Sequence, residues 1–245
     1  PCGVGSKMLV RADGNTSGSF AGPHADGQVV REAMQALQQS GSHLAHVHIE
    51  PDESVGSCGG TLEVFLEVLH TEPRLIIAGA GYVAQALARL AASLDFRIIV
   101  VDDRRDLADP QVFGDKVQLT FGDIPQTIHD LEPDESSWIV IVTRGHHLDK
   151  DALRAAVESH ASYVGMIGSL GKIRNIFRDL QKEGIARERL AQVHAPIGLD
   201  LGAETPDEIA LSIAAEMVML RHKGEGASVV SMNTQHHLLE EAVGA

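Results

Sequence analysis

The sequence predicts an α/β protein, in which a parallel sheet lies between layers of helices and follows a small α+β unit. Three observations carry this. First, after about residue 72, short apolar runs at 75–78, 97–101, 117–120, 138–143 and 163–167 alternate with helical stretches near 83–94, 151–159 and 172–183. Strands this apolar, without an in-out alternation, are covered on both faces and belong to a mainly parallel sheet. Second, a glycine-rich turn joins the first of these strands to the first helix. Third, the pattern changes character at residues 70–73, which places a domain boundary there. The expected organisation is 1–71, 72–223 and a polar tail at 224–245.

The N-terminal unit reads as two short strands, at 7–11 and 18–20, around the turn Asp13-Gly14-Asn15. At 26–39 the apolar positions Val29, Val30, Ala33, Met34 and Leu37 recur at helical spacing, until Gly41 stops the pattern. Residues 44–50 and 62–69 alternate as strands, separated by a polar loop that holds Cys58-Gly59-Gly60. In the second unit a last helix is expected over 206–221. Thr205 is its N-cap, Pro206 sits at the first helical position, and Glu208 completes a capping box.

The loop Gly79-Ala80-Gly81-Tyr82-Val83-Ala84 follows a strand and opens a helix, the context that gives a G-x-G-x-x-A pattern its meaning. Gly79 permits the tight turn, Gly81 lets backbone amides approach a phosphate, and Ala84 is small enough for close packing. The next strand ends at Asp102, where a carboxylate is expected to accept from a ribose hydroxyl. The domain is therefore expected to be Rossmann-type. Arg104 and Arg105 could pair with a 2′-phosphate, but Asp102 would repel one, so an unphosphorylated ribose is favoured. The alternatives are a Rossmann fold whose loop has lost its ligand and a plain tight strand-helix turn.

Composition narrows the partners. Thirty-four acidic against twenty basic residues give a formal charge of -14, which argues against a nucleic-acid partner. No apolar run approaches the ~20 residues that cross a bilayer. Two cysteines, Cys2 and Cys58, form no spaced framework, which fits the cytoplasm, although two thiols can still form one bridge. The chain begins at Pro1, so an incomplete N-terminus is expected.

Other candidates lie on loops. Thr143, Gly145 and His146 follow one strand and Gly168-Ser169 follows another, so both loops should border the crevice beyond the carboxyl ends of the sheet. His146 is either a donor to a phosphate or pterin oxygen or a solvated loop histidine; His147 is read as solvated. Cys58 is either a thiolate that meets a metal or takes up sulfur, or a small residue in a tight turn. His43, His46 and His48 lack a completing ligand and are read as solvated strand histidines.

Longer motifs add a resemblance. Residues 196–203 (Pro-Ile-Gly-Leu-Asp-Leu-Gly-Ala), Thr205 to Ala210 and Ser212 to Glu216 resemble xanthine dehydrogenase accessory factors of the XdhC/CoxI type. So do Cys58-Gly59-Gly60 with residues 64–67, the glycine loop with Asp102-Asp103-Arg104, Thr143 with Gly145-His146, residues 163–169, and residues 5–10. Cys2 and the stretch Ala21-Gly22-Pro23-His24 depart from the family pattern.

The resemblance implies a chaperone that binds the molybdenum cofactor, as molybdopterin or its dinucleotide form, and helps insert it into a molybdenum hydroxylase apoenzyme. It implies a cysteine desulfurase that supplies sulfur and a self-associated chain (a homodimer); the leading reading from motif placement is a cofactor held between the two domains. Gly79, Gly81, Tyr82, Val83, Asp102, Asp103, Arg104, Thr143, Gly145, His146, Gly168 and Ser169 are the expected binding positions, with Cys58 and His146 toward molybdenum. No catalytic residue is assigned. The rival readings are an NAD(P)-dependent oxidoreductase, for which His146 is the available acid or base, and a nucleotide-sensing regulatory module.

Overall fold

The computed structural model describes residues 5–20, 22–39, 43–49, 60–69, 72–107 and 109–223. Cys2, the Cys58 loop and the tail at 224–245 lie outside the described residues. The chain divides into two compact units, residues 1–70 and 71–245.

In the first unit β1 (Met8–Val10) and β2 (Thr16–Gly18) form an antiparallel pair. Asp13 builds the turn between them by accepting from the Asn15 amide at 2.9 Å. The helix α1 (Pro23–Gln39) begins three residues before the apolar spacing predicts, and Asp26 in its first turn accepts from the Phe20 amide at 2.8 Å. A second antiparallel pair, β3 (His43–Ile49) and β4 (Gly60–Leu66), turns Ala45, Val47, Val64 and Leu66 toward Val29 and Ala36 of α1. Strand alternation puts Leu44 and its partner Phe65 on the opposite, exposed face.

The second unit holds five parallel strands, β5 (Arg74–Ala78), β6 (Arg97–Asp102), β7 (Val117–Phe121), β8 (Ser137–Ile141) and β9 (Tyr163–Met166). Their order is β7-β6-β5-β8-β9. The chain runs outward from β5 through β6 to β7, then returns to the other side of β5. The carboxyl ends of β5 and β8 thus form a switch point, where connections leave in opposite directions. Among the described residues, the strands are flanked by α2 (Tyr82–Ala91), α3 (Pro110–Phe113), α4 (Ile124–Asp130), α5 (His146–Glu158), α6 (Leu170–Lys182), α7 (Arg187–Ala191) and α8 (Pro206–Lys223).

Both faces of this sheet are covered. Leu75, Ile77, Ile98 and Val140 pack on Leu87 of α2 and on Ile213 and Met217 of α8. Ile76, Ile99, Ile139 and Ile141 pack on Ile128 of α4, Leu153 of α5 and Ile176 of α6. No helix among the described residues is long and apolar enough to cross a membrane.

The capping box of α8 forms as its sequence predicts. The Glu208 carboxylate accepts from the Thr205 amide at 2.9 Å, and Thr205 Oγ1 accepts from the Glu208 amide at 3.3 Å. The short helices α3, α4 and α7 are additional to the sequence expectation. Asp109 and Asp123 cap α3 and α4, each with a proline in the first turn. Helix α5 starts at His146 rather than 151, because it follows Gly145 with no side-chain cap to mark it.

The segment Pro196 to Glu216 has a structural task. Glu216 is fully buried, accepting from Tyr163 Oη at 2.7 Å and from the Gly198 amide at 3.1 Å, with His194 Nδ1 3.4 Å away. Gly198 has φ +104°, and a Cβ there would collide with Ser212, whose hydroxyl donates to the Leu199 carbonyl. A Cβ on Gly165 would collide with Ile197. The motif therefore ties α8 to β9 and to the loop before it. Burial raises the Tyr163 phenol above its usual range, and the Glu216 carboxylate adds to this. Tyr163→Phe removes one donor from a buried carboxylate and is expected to lower unfolding free energy by about 1–3 kcal/mol, read as a reduced urea midpoint.

Candidate functional site

The glycine loop begins where β5 ends. Gly79 has φ +112°, and its amide donates to the Val101 carbonyl of β6 at 2.8 Å. A Cβ on Gly79 would lie 2.6 Å from the Val142 carbonyl oxygen and 3.1 Å from Thr143 Cα. Glycine is required here twice over, by its backbone angle and by the passage of the chain leaving β8.

Gly81 differs. It caps α2 with an ordinary φ of -71°, carries no side-chain cap, and a Cβ on it would meet nothing within 4 Å. Neither backbone nor protein neighbour demands glycine at 81. What the position has is open space beside the positive end of a helix dipole, at Tyr82 and Val83. Ala84, in the first turn of α2, is fully buried, the small packing residue the pattern needs.

Asp102 stands at the end of β6 and is only 2% exposed. Its Oδ2 accepts from the Ala80 amide at 2.7 Å and from Arg104 Nη2 at 3.0 Å. Its Oδ1 accepts from the Arg104 amide and from Arg104 Nε, both at 2.9 Å. Burial pushes this carboxyl up, but the bonds from Arg104 and from the Ala80 amide outweigh it and hold the group below the usual 3.8. Beside it, Arg144 from the loop after β8 grips Asp103 with both nitrogens, each at 2.7 Å.

The loops after β8 and β9 are joined by a second buried acid. Asp149, fully buried in the first turn of α5, accepts from Thr143 Oγ1 at 2.6 Å and forms an ion pair with Lys172 of α6. Ser169 caps α6, accepting from the Lys172 amide at 3.3 Å, and a Cβ on Gly168 would press on the Lys172 stem at 3.2 Å. A chain of contacts thus runs from Asp102 through the glycine loop to Thr143, Asp149, Lys172 and Gly168. Gly79, Gly81, Asp102, Asp103, Arg104, Thr143, Gly145, Gly168 and Ser169 all lie at the carboxyl edge of one sheet.

Arg144, Asp149 and Lys172 are not among the expected binding residues. A weak signal for two of them exists: an acid three residues after His146 and a lysine three residues after Ser169, each in a first helical turn. His146 opens α5 half-buried, its ring 6.0 Å from that of the exposed His147. Among the described residues no group of three or more His, Cys, Asp or Glu side chains is placed to hold a metal. His46 is exposed on β3, opposite Glu63. An apolar groove of 580 Å³ between α2 and α8, lined by Leu90, Leu94, Leu211 and Val218, lies toward the opposite end of α2 from the glycine loop.

The two glycines of the loop should respond differently to substitution. Gly79→Ala is expected to destabilise the fold by about 1–3 kcal/mol through the strained φ and the clash with the β8 exit, whereas Gly81→Ala stays within about 1 kcal/mol of the parent; chemical denaturation compares them. Acid should also discriminate. A carboxyl held below its unfolded value contributes stability that is present above about pH 4 and lost as pH falls through the lower folded value. Asp102→Asn is expected to be less stable at neutral pH and to show a shallower stability loss below about pH 4, read from urea midpoints against pH.

Comparison with known proteins agrees with this architecture. Residues 75–217 match the XdhC Rossmann domain, and residues 1–50 match the XdhC and CoxI family. The chain is 36% identical over 228 residues to the YqeB protein of Escherichia coli, covering 90% of this chain and 41% of that one. It is 27% identical over 190 residues to a probable xanthine dehydrogenase subunit from Bacillus subtilis, covering 78% and 53% respectively. It is 28% identical over 148 residues to the molybdenum cofactor insertion chaperone PaoD of Escherichia coli, covering 60% and 40%. The chain thus spans between two fifths and about half of the length of these relatives. The crystal structure of a xanthine dehydrogenase from Bacillus halodurans shares the fold, with a TM-score of 0.56 at 18% identity over 90% of this chain and 87% of that chain. The sequence signature, the parallel sheet with its glycine loop and the match over residues 75–217 lead to one conclusion: the chain belongs to the XdhC family.

Proposed function

We propose that this protein is a carrier for the molybdenum cofactor, which it holds and passes to a xanthine dehydrogenase-type hydroxylase. The observation that carries this reading is the open cradle at Gly81, found in a chain similar to a molybdenum cofactor insertion chaperone. The cofactor is cargo here. Its phosphate is received by the amides of Gly81, Tyr82 and Val83 at the start of α2, where an anion is favoured by the helix dipole. The loops bearing Thr143, Gly145, His146, Gly168 and Ser169 flank the same edge and are the groups nearest to the rest of the cargo.

On this reading His146 is the imidazole available to the molybdenum end; the Cys58 thiol, a candidate second contact from the sequence, lies outside the described residues. A cysteine desulfurase supplies sulfur before handover, and the carrier works in the cytoplasm as a homodimer. Nothing in this role requires a catalytic acid or base, and His146 has no carboxylate partner among the described residues.

The test is retention of cargo. The purified protein is mixed with molybdenum cofactor freshly released from a hydroxylase, desalted, and assayed for molybdenum by mass spectrometry and for pterin by fluorescence after oxidation. Stoichiometric retention is expected, reduced about tenfold in Gly81→Asp, which places a carboxylate in the cradle. Failure of the parent protein to retain molybdenum, or equal retention by Gly81→Asp, overturns the reading.

A further inference from the structure

In dinucleotide-binding folds the acid at the end of the second strand accepts from the hydroxyls of a ribose. A carboxylate offers about four acceptor positions. At Asp102 all four are taken: by the Ala80 amide, the Arg104 amide, Arg104 Nε and Arg104 Nη2. A sugar hydroxyl could enter only by displacing a charge-assisted bond or the amide that holds the glycine loop itself.

The opposite solution, a cation for a 2′-phosphate, is engaged as well. The Arg104 guanidinium is turned inward onto Asp102, and Arg144 is held in the two-pronged pair with Asp103. Two carboxylates and two guanidiniums neutralise one another along this rim. Arg105, next in the chain, is exposed in the short 3-10 turn at Arg105–Leu107.

We propose that the Asp102–Arg104 pair is a lock that fills the ribose subsite, so that the glycine-loop cradle accepts a ligand ending in a phosphate monoester and turns away one whose phosphate continues into a nucleotide. This rests on the cradle reading above and sharpens it: the cargo is the phosphomonoester form of the pterin cofactor, not a dinucleotide form. Asp102 is then a positioning residue for the loop, and Arg104 is the specificity-determining residue.

Calorimetric titration with NAD, NADP and phenyl phosphate tests the lock. The parent protein is expected to show no NAD or NADP binding at millimolar nucleotide. Phenyl phosphate should bind and shift the amide resonances of Gly81 and Tyr82. Arg104→Ala frees acceptor positions on Asp102 and is expected to tighten NAD binding at least about tenfold, a gain that disappears when Asp102→Asn is added. Arg104→Gln is a second opening variant should Arg104→Ala fail to fold, with circular dichroism and thermal melting establishing the fold of each.

NAD binding by the parent protein that is lost in Asp102→Asn would overturn the lock. So would NADP binding lost in Arg105→Ala, the absence of any NAD gain in a folded opening variant, or a failure of phenyl phosphate to perturb Gly81 and Tyr82. These titrations use no molybdenum cofactor. A gain of NAD binding therefore supports the lock even where cofactor retention fails, and cofactor retention without that gain refutes the lock alone.

Discussion

A carboxylate cannot remain charged inside a sheet edge without donors, and the donors Asp102 takes determine the shape of everything around it. One is the amide of Ala80, which lies between the two glycines of the loop. The others come from Arg104, two residues further along the same strand exit. The bond to Ala80 draws the loop against the end of β6, and the absence of a side chain at Gly79 lets the same loop pass beside the chain leaving β8. The turn is thus clamped from both neighbouring strands. The start of α2, with its first amides, is thereby held in place by the protein itself.

The same logic recurs twice. The buried acids among the described residues are Asp102, Asp149 and Glu216, and each joins parts of the chain distant in sequence. Asp149 connects the exit of β8 to the first turn of α6 through Thr143 and Lys172. Glu216 connects α8 to β9 and the Pro196 segment through Tyr163 and Gly198. Breaking such a contact leaves a charge or donor stranded in the core, so these positions tolerate little change even where no ligand touches them. In the longest family-like motif, at 196–216, Gly198, Ser212 and Glu216 are committed to this packing.

Much of the architecture was legible in the sequence because strongly apolar strands and a strand-glycine-helix junction depend on local pattern alone. The Thr205–Glu208 cap was legible for the same reason, its partners being three residues apart. Helices α4 and α7 were not, being too short for an apolar period to repeat. The start of α5 was hidden by Gly145, which ends a loop and caps a helix with no side-chain signal. That the candidate positions share one sheet edge was legible; the bonds among them were not. Nothing in the order Asp-Asp-Arg tells which acid the arginine turns to, and Asp149 meets Lys172 across two loops and a strand.

The pairing of two acids with two arginines along the rim has a consequence for traffic. The chain as a whole carries an excess of fourteen negative charges. An anion in solution is repelled at long range and finds its attraction only on contact, in the dipoles of backbone amides. Under the proposed role that repulsion would slow capture of a free anion, and salt, which screens it, would speed the approach.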